Sequence, residues 1–267
     1  MSGFREDWLD LRESADFLSR DRSLLQRALG FADDGEATTI TDIGSGTGST
    51  LRALAPGLVR PLHWRLVDHD PHLLGIAKNR HDREISLECV EADLNDLAAI
   101  PLAGTRLMTA SALFDLCSRA MIEALAFVLR PREIGLYAAL NYDGMILFET
   151  PHALDGAAVA AFNAHQRGDK GIGPAAGPEA AHILREVFEA QGYLVETAKS
   201  DWALTPEHVA LQNAFIEGMA RAVAETGMID AEKIAAWKDF RLLQTDRSGL
   251  RVGHLDMLGL PPDQATF

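Results

Sequence analysis

The stretch that most constrains the fold is a short apolar run that ends in three alternating glycines. The β-branched run from Thr38 to Ile43 predicts a buried strand, and a helix-like segment follows the glycines. Glycines let the backbone turn sharply and lack the Cβ atoms that would keep a ligand away from the main chain. The sequence therefore predicts a strand, a turn and a helix arranged around a ligand. The glycines are Gly44, Gly46 and Gly48.

Two classes of ligand fit such a turn. Nicotinamide dinucleotides are bound by glycines with the spacing G-x-G-x-x-G, which places a pyrophosphate at a helix N-terminus. The spacing here is G-x-G-x-G, and Asp42 stands two residues before the first glycine. A carboxylate at that point attracts a cationic ligand and repels a pyrophosphate. This detail favours S-adenosylmethionine.

Two further predicted strands end in carboxylates. A strand from about Leu62 to Val67 is followed by Asp68, about 20 residues past the glycines, where an acid can bind ribose hydroxyls. Dehydrogenases use an acid in the same way, so Asp68 indicates a nucleoside without separating the two cofactors. Asp70 is predicted to cap the next helix. A third strand, over 85–90, is followed by Asp93.

The stretch from Thr38 to Asp93 resembles the cofactor-binding half of class I S-adenosylmethionine-dependent methyltransferases, whose motif I is an acid followed by G-x-G-x-G. The resemblance implies S-adenosylmethionine as the cofactor. It also implies that Asp93 receives the adenine amino group, for which dehydrogenases have no regular counterpart. The residues predicted to bind the cofactor are Asp42, Gly44, Ser45, Gly46, Gly48, Asp68, His69, Asp93, Leu94 and Ser111.

Strands and helices alternate along all 267 residues without a linker, which predicts a single domain with insertions. The resemblance implies a three-layer, doubly wound α/β fold with a seven-stranded, mostly parallel sheet. We expect N-terminal helices over 1–36, a cofactor-binding core over 37–141, an acceptor-loop insertion over 142–176 and a helical insertion over 204–247. The last insertion departs from the resembling fold, and it suits either a lid or a dimer face.

Ligands of open α/β sheets lie beyond the carboxyl ends of the strands, so the loop after the fourth strand should face the transferred methyl group. Asp115 in this loop is interpreted as a base, as a group that orients the acceptor, or as a cap for the helix over Ser118 to Leu129. The loop lacks the Asp/Asn-Pro-Pro-Tyr pattern of methyltransferases that act on nucleobase amino groups.

The segment after the fifth strand supplies the other acceptor candidates. Asp143-Gly144 predicts a hairpin, with Tyr142 and Asp143 at its turn. A predicted helix over 154–166 runs into a glycine-rich polar segment over 163–174, which is typical of a binding loop. Histidine is the residue type whose unperturbed side chain can act as a base near neutral pH, so His165 in that segment is the base candidate. The predicted catalytic residues are His165, Asp143, Tyr142 and Asp115, with Arg167 as a further acceptor contact.

The N-terminal helical segment leaves two interpretations open. Trp8 and Arg12 either face a ligand or belong to core packing and a solvated charged face.

Composition limits the partners. Twenty-five basic and 39 acidic residues give a net charge of −14, which repels nucleic acid. Two cysteines form neither a disulfide framework nor a zinc set, so we expect no metal and an intracellular protein. No targeting signal and no stretch of membrane-spanning length is visible, which predicts a cytoplasmic location and no membrane partner. We expect a monomer or homodimer with a small-molecule acceptor.

A sulfonium methyl group is already activated, so the predicted reaction is a direct displacement in which the protein supplies alignment, contributing about 7 to 11 kcal/mol in well-oriented systems. A base is needed only if the acceptor must lose a proton. The leading hypothesis is S-adenosylmethionine-dependent methyl transfer to a small polar metabolite. The alternatives are an NAD(P)-linked oxidoreductase and a non-catalytic S-adenosylmethionine-binding protein.

Overall fold

The computed structural model describes residues 6–34, 39–81, 85–169, 171 and 173–262. Thr38 of the predicted first strand, and Lys170 and Ile172 of the predicted polar loop, lie outside these residues. The first half of the chain contains α1 (Glu6–Ser19), α2 (Arg22–Asp33), β1 (Thr39–Ile43), α3 (Ser49–Leu54), β2 (His63–Asp68), α4 (Pro71–Arg80), β3 (Leu87–Glu91), β4 (Thr105–Ser111) and α5 (Arg119–Leu129). The second half contains β5 (Gly135–Phe148), α6 (Asp155–Gln166), α7 (Ala180–Ala190), β6 (Leu194–Lys199), β7 (Trp202–Leu204), α8 (Val209–Thr226), α9 (Ala231–Leu242) and β8 (Leu250–Leu260).

The strands form one sheet in the order β3-β2-β1-β4-β5-β8-β6, with β7 paired to one end of β8. The pairs among β1 to β5 are parallel, whereas β8 is antiparallel to β5, β6 and β7. The order reverses at β1, so the carboxyl ends of β1 and β4 border a crevice in which ligands of such folds bind. The predicted doubly wound fold is confirmed, with eight strands in the described residues rather than seven because β7 adds a short strand.

Two hydrophobic clusters cover the two faces of the sheet and make the fold three-layered. Side chains of α5 and α7 pack on one face, and those of α2, α3 and α4 pack on the other. Every residue of β1 is buried, as expected for a central parallel strand that is covered on both sides.

The predicted hairpin at Asp143-Gly144 is wrong. β5 continues through both residues, and its register with β8 shifts between Tyr142 and Ile146. The Asp143 carboxylate accepts a hydrogen bond from the Met145 N–H at 2.9 Å, and Gly144 takes a φ of +91°. These are the features of a bulge, in which an inserted residue is absorbed without reversing the chain. The long β8 pairs with both halves of β5, so a turn is not required.

The insertion between β6 and β8 forms a third hydrophobic cluster. It contains α8 and α9, which pack with α1, α6 and the far ends of β5, β7 and β8. The cluster therefore stands above the carboxyl end of β5, beside the crevice. In the part of the chain that the structure describes, no helix combines the length and apolarity needed to span a bilayer.

Candidate active site

The glycine turn adopts backbone conformations that other residues rarely take. The φ angles of Gly44, Gly46 and Gly48 are +60°, +53° and +82°. A Cβ at Gly44 would approach a methyl carbon of Leu113 to 2.9 Å. A Cβ at Gly46 would stand 3.2 Å from Leu9 of α1, so the turn is closely covered on that side. Backbone strain and space therefore both select glycine here.

Asp68, at the end of β2, fixes this turn. Its Oδ2 accepts a hydrogen bond from the Gly46 N–H at 2.8 Å, and its Oδ1 accepts one from the Asp70 N–H at 3.0 Å. The imidazole of His69 lies 3.2 Å from the same carboxylate. Hydrogen bonds to a charged acceptor are stronger than neutral ones, so Asp68 links the glycine turn rigidly to β2.

Asp70 has the separate role that the sequence predicts. Its carboxylate accepts hydrogen bonds from the backbone N–H groups of His72 and Leu73, at 2.9 and 3.4 Å, and caps α4. The predicted helix cap at Asp70 is confirmed.

A cavity of about 90 Å³ lies against the turn. Its lining includes seven of the ten predicted cofactor residues, and it also includes residues of α1. This volume is well below the roughly 300 Å³ at which ligand pockets begin, because α1 covers the turn. The predicted residues on its wall are Gly44, Ser45, Gly46, Asp68, His69, Leu94 and Ser111, and those of α1 are Leu9, Arg12 and Asp16.

The other three predicted cofactor residues do not line this cavity. Asp42 is fully buried in β1 and accepts a hydrogen bond from Thr109 Oγ1 at 2.7 Å. Burial raises the pKa of the Asp42 carboxyl to about 7, although Thr109 and the charge of Arg20 oppose the shift. Gly48 is the residue that precedes α3. Asp93 is exposed and accepts hydrogen bonds from Asn95, so its predicted contact with adenine stays a prediction.

A second, larger cavity of about 1040 Å³ adjoins the first; we call it the acceptor chamber. The two cavities share wall residues at the carboxyl end of β4 and on α1, so they lie side by side. The chamber has β5 and β8 as its floor, α6 and α8 as its roof and α1 at its side. The shared residues are Arg12, His69, Ala112 and Leu116.

Five aromatic side chains form part of the wall of the acceptor chamber. They come from five elements that are distant in the sequence, and the chamber exists only because the insertion folds back over β5. The rings are those of Trp8, Tyr142, Phe162, Trp202 and Phe215.

Two buried polar side chains, Asp115 and His254, interrupt the aromatic wall, with 8% and 5% of their surface exposed. Burial, followed by the charge of Arg12, lowers the pKa of the His254 imidazole to about 3. This histidine is therefore neutral at physiological pH. Tyr142 faces His254 across the β5–β8 ladder and donates a hydrogen bond from its hydroxyl to Asn163 Oδ1 at 2.7 Å; burial raises the pKa of this phenol.

Arg12 stands where the two cavities meet. It donates to the Asp16 carboxylate at 2.8 Å, and its guanidinium lies 5.1 Å from the ring centre of Trp202 and 5.9 Å from that of Trp8. Trp202 Nε1 donates to the other oxygen of Asp16 at 2.9 Å. This network fixes α1 against β7, so Trp8 and Arg12 both face the cavity.

The structure brings Tyr142 and Asp115 of the predicted catalytic residues together in the acceptor chamber, and it does not place Asp143 or His165 on its wall. Asp143 lies against Gly253 of β8, and burial raises the pKa of its carboxyl. His165 Nε2 lies 2.9 Å from a carboxylate oxygen of Glu225.

Two other predictions about these segments can be checked. The capping interpretation of Asp115 is wrong, because the Ser118 hydroxyl accepts from the Met121 N–H and caps α5. Arg167 pairs with Glu179 at the surface and is also absent from the chamber wall.

Sequence reasoning missed His254, Trp202, Phe162 and Phe215. The available signal was the insertion over 204–247, in which Phe215, Met219 and Ala222 recur at helical spacing. That pattern indicates one buried face without showing what it covers.

Comparisons with known proteins support the fold. No protein-family profile and no curated protein sequence matches the chain. Among solved structures, the chain is similar to the YcgJ protein from Bacillus subtilis, with a TM-score of 0.53 and 12% identity over 90% of this chain and 99% of that one. It is also similar to a putative methyltransferase, BH2331, from Bacillus halodurans, with a TM-score of 0.50 and 15% identity over 90% and 99% of the two chains.

A third similar structure is the mycolic acid cyclopropane synthase CmaA1 complexed with SAH and CTAB, with a TM-score of 0.50 and 12% identity over 89% of this chain and 83% of that one. At these identities the likeness concerns the fold. The chain has the class I methyltransferase fold, and the resemblance that the glycine motif indicated is confirmed at that level.

Proposed function

We propose that this protein is an S-adenosylmethionine-dependent methyltransferase with a small-molecule acceptor. The observation that carries the proposal is the junction of the two cavities. A glycine turn fixed by a strand-end carboxylate adjoins, across Arg12, His69, Ala112 and Leu116, a chamber large enough for a second substrate. A donor site beside an acceptor site is the arrangement that group transfer requires.

The residues around the turn fit an adenosyl cofactor. Gly44 and Gly46 lack the Cβ atoms that would hold a ligand away from the backbone, although Leu113 and Leu9 now lie against them, and Asp68 places a buried carboxylate beside them. Leu94 supplies an apolar wall on the β3 side. A neighbour in fold, CmaA1, is complexed with SAH. Since α1 now covers the turn, cofactor entry requires α1 to shift.

When bound, S-adenosylmethionine supplies a sulfonium methyl group that is already activated for displacement. The chain contributes alignment of the two substrates where the two cavities meet. Asp115 is a buried carboxylate on the chamber wall that directly precedes the junction residue Leu116, and it can take a proton from an acceptor that must lose one. Such a proton transfer contributes about a hundredfold to ten-thousandfold in rate.

The acceptor is a small molecule because the chamber is enclosed by α1, α6 and α8. Nucleic acid is disfavoured by the net charge of −14 and by the acidic residues Asp7, Asp169 and Glu217 on the chamber wall. The acceptor predicted from sequence is a polar metabolite, on the basis of Tyr142, Asp143, His165 and Arg167. The aromatic wall supports an acceptor with substantial apolar surface instead. A cytoplasmic location remains part of this proposal.

Transfer of a labelled methyl group tests the function. The protein is incubated with S-adenosylmethionine labelled with tritium in the methyl group and with a cell extract, which is then separated into macromolecular and small-molecule fractions. We expect label in a small-molecule product other than S-adenosylmethionine itself, and no such product with Gly46→Val. Binding of S-adenosylhomocysteine without transfer into any fraction would support the non-catalytic alternative. Thermal stabilisation by NADPH and not by S-adenosylhomocysteine would support an oxidoreductase.

A further inference from the structure

The aromatic side chains of the acceptor chamber form a continuous set. Ring centres are 6.2 Å apart for Trp8 and Trp202, 6.3 Å for Trp202 and Phe215, and 6.3 Å for Phe215 and Phe162. Phe162 in turn lies 5.8 Å from Tyr142, edge to face. Aromatic groups attract one another in offset and edge-to-face arrangements at these separations, so the wall offers both ring edges and ring faces to a planar ligand.

A cationic ligand does not suit this wall, although aromatic rings often bind cations. The guanidinium of Arg12 already lies near the rings of Trp8 and Trp202. Its charge adds to the effect of burial in lowering the pKa of His254, so the part of the chamber around His254 already holds one positive charge beside a neutral imidazole. The interior therefore favours a neutral aromatic molecule.

His254 gives the chamber a directed polar contact. Its imidazole lies between Trp202 and Tyr142, with ring centres 5.2 and 6.2 Å away. Its Nδ1 is buried and has no hydrogen-bond partner among the residues that the structure describes. A buried polar atom without a partner costs about 1 to 3 kcal/mol, which a ligand can recover by hydrogen bonding to it. A neutral imidazole has one nitrogen that can accept such a bond.

We propose that the acceptor is a neutral, planar aromatic molecule with a ring O–H or N–H group that donates a hydrogen bond to His254 Nδ1. The proposal rests on the methyltransferase function proposed above. In the reaction, the lone pair of an acceptor oxygen or nitrogen forms the new bond to the methyl carbon. The carbon–sulfur bond breaks, and its electron pair stays on the sulfur. The methylated oxygen or nitrogen carries a positive charge and loses its proton, which leaves the hydrogen bond to His254 Nδ1 and passes to the Asp115 carboxylate.

Binding of matched naphthalenes to the protein saturated with S-adenosylhomocysteine tests this inference. The ligands are β-naphthol, β-naphthylamine and the methyl ether of β-naphthol, which keeps the ring and lacks the donor. Decanol serves as an aliphatic alcohol of comparable polarity. We expect β-naphthol or β-naphthylamine to bind about tenfold more tightly than the ether, the value of one buried hydrogen bond. The stronger of the two identifies the donor as oxygen or nitrogen.

Three variants test the contact. His254→Phe keeps an aromatic ring and removes the ring nitrogens, so the preference for β-naphthol or β-naphthylamine over the ether should fall to about onefold. His182→Phe makes the same change on the exposed side of α7 and should leave the preference unchanged. Phe215→Leu should weaken all three naphthalenes and leave S-adenosylhomocysteine affinity unchanged. The preference of the unmodified protein for β-naphthol or β-naphthylamine over the ether tests the inference even if His254→Phe does not fold.

Equal affinities for β-naphthol, β-naphthylamine and the ether, tighter binding of decanol, or no binding of any naphthalene would overturn the inference. Each result is read only after S-adenosylhomocysteine binding has been measured. Failure of that first step would reject the proposed function, and success followed by one of these outcomes would reject the aromatic acceptor alone.

Discussion

Asp68→Ala should impair both the cofactor site and the stability of the glycine turn. The substitution removes the acceptor of the Gly46 N–H bond at 2.8 Å and of the Asp70 N–H bond at 3.0 Å. A hydrogen bond to a charged group contributes about 1.5 to 3 kcal/mol. Asp70 is half-buried, so water can replace the Asp68 carboxylate as the partner of its N–H group. We therefore count only the hydrogen bond from the Gly46 N–H as fully lost. We expect the free energy of unfolding to fall by about 1.5 to 3 kcal/mol.

The same change should weaken S-adenosylhomocysteine about 5-fold to 150-fold, because about 1 to 3 kcal/mol of ribose contacts and turn geometry is lost. Isothermal titration calorimetry measures the affinity, and urea unfolding measures the stability. Asp70→Ala is the matched control. It removes a carboxylate two residues away that caps α4, so it should cost about 0.5 to 2 kcal/mol of stability and leave the affinity unchanged. Equal affinities for Asp68→Ala and the unmodified protein would refute the assignment of Asp68.

Four further changes follow from the structure. Gly46→Val should abolish S-adenosylhomocysteine binding in a folded protein, because the side chain points at Leu9 from a φ of +53°; retained binding in calorimetry would contradict this. The cofactor-free protein should lose about 4 kcal/mol of stability as the pH rises from 3.8 to about 7, because over this range Asp42 stays protonated in the folded protein and ionises in the unfolded chain. Asp42→Asn should unfold in urea without this loss. Asp115→Asn should lower turnover at least tenfold with S-adenosylhomocysteine affinity intact, and equal loss of both would show a structural role. Arg80→Ala removes the ion pair with Asp10 at 2.5 Å that fastens α1, so stopped-flow association of S-adenosylhomocysteine should be faster, and an unchanged rate would argue against movement of α1.

The cofactor half of the site was predictable because its signals are local. The glycines, Asp68 and the cap at Asp70 all lie within about one strand-turn-helix unit, where sequence spacing translates directly into geometry. The helix start at Asp70 and the strand before Gly44 are found where the sequence indicates them. Asp42 illustrates the limit of such reasoning. Its position in the motif does not reveal that it is buried in β1 or that the Thr109 hydroxyl of β4 donates a hydrogen bond to it.

The acceptor side could not be read in the same way. Asp143-Gly144 carries a hairpin signal, but the partner that turns it into a bulge is β8, more than a hundred residues later in the chain. His165 and Arg167 are rich in hydrogen-bonding groups, yet pairing with Glu225 and Glu179 occupies them outside the chamber. The chamber is formed by residues as far apart as Trp8 and His254, and no local pattern brings these together.

A crystal structure of the protein with S-adenosylhomocysteine tests the central claim most directly. The account predicts the ribose at Asp68, the sulfur at the junction formed by Arg12, His69, Ala112 and Leu116, and α1 shifted to make room. The side of the sulfur from which the methyl group is transferred should face the acceptor chamber. A ribose away from Asp68, or a sulfur turned away from the chamber or separated from it by α1, would contradict the account.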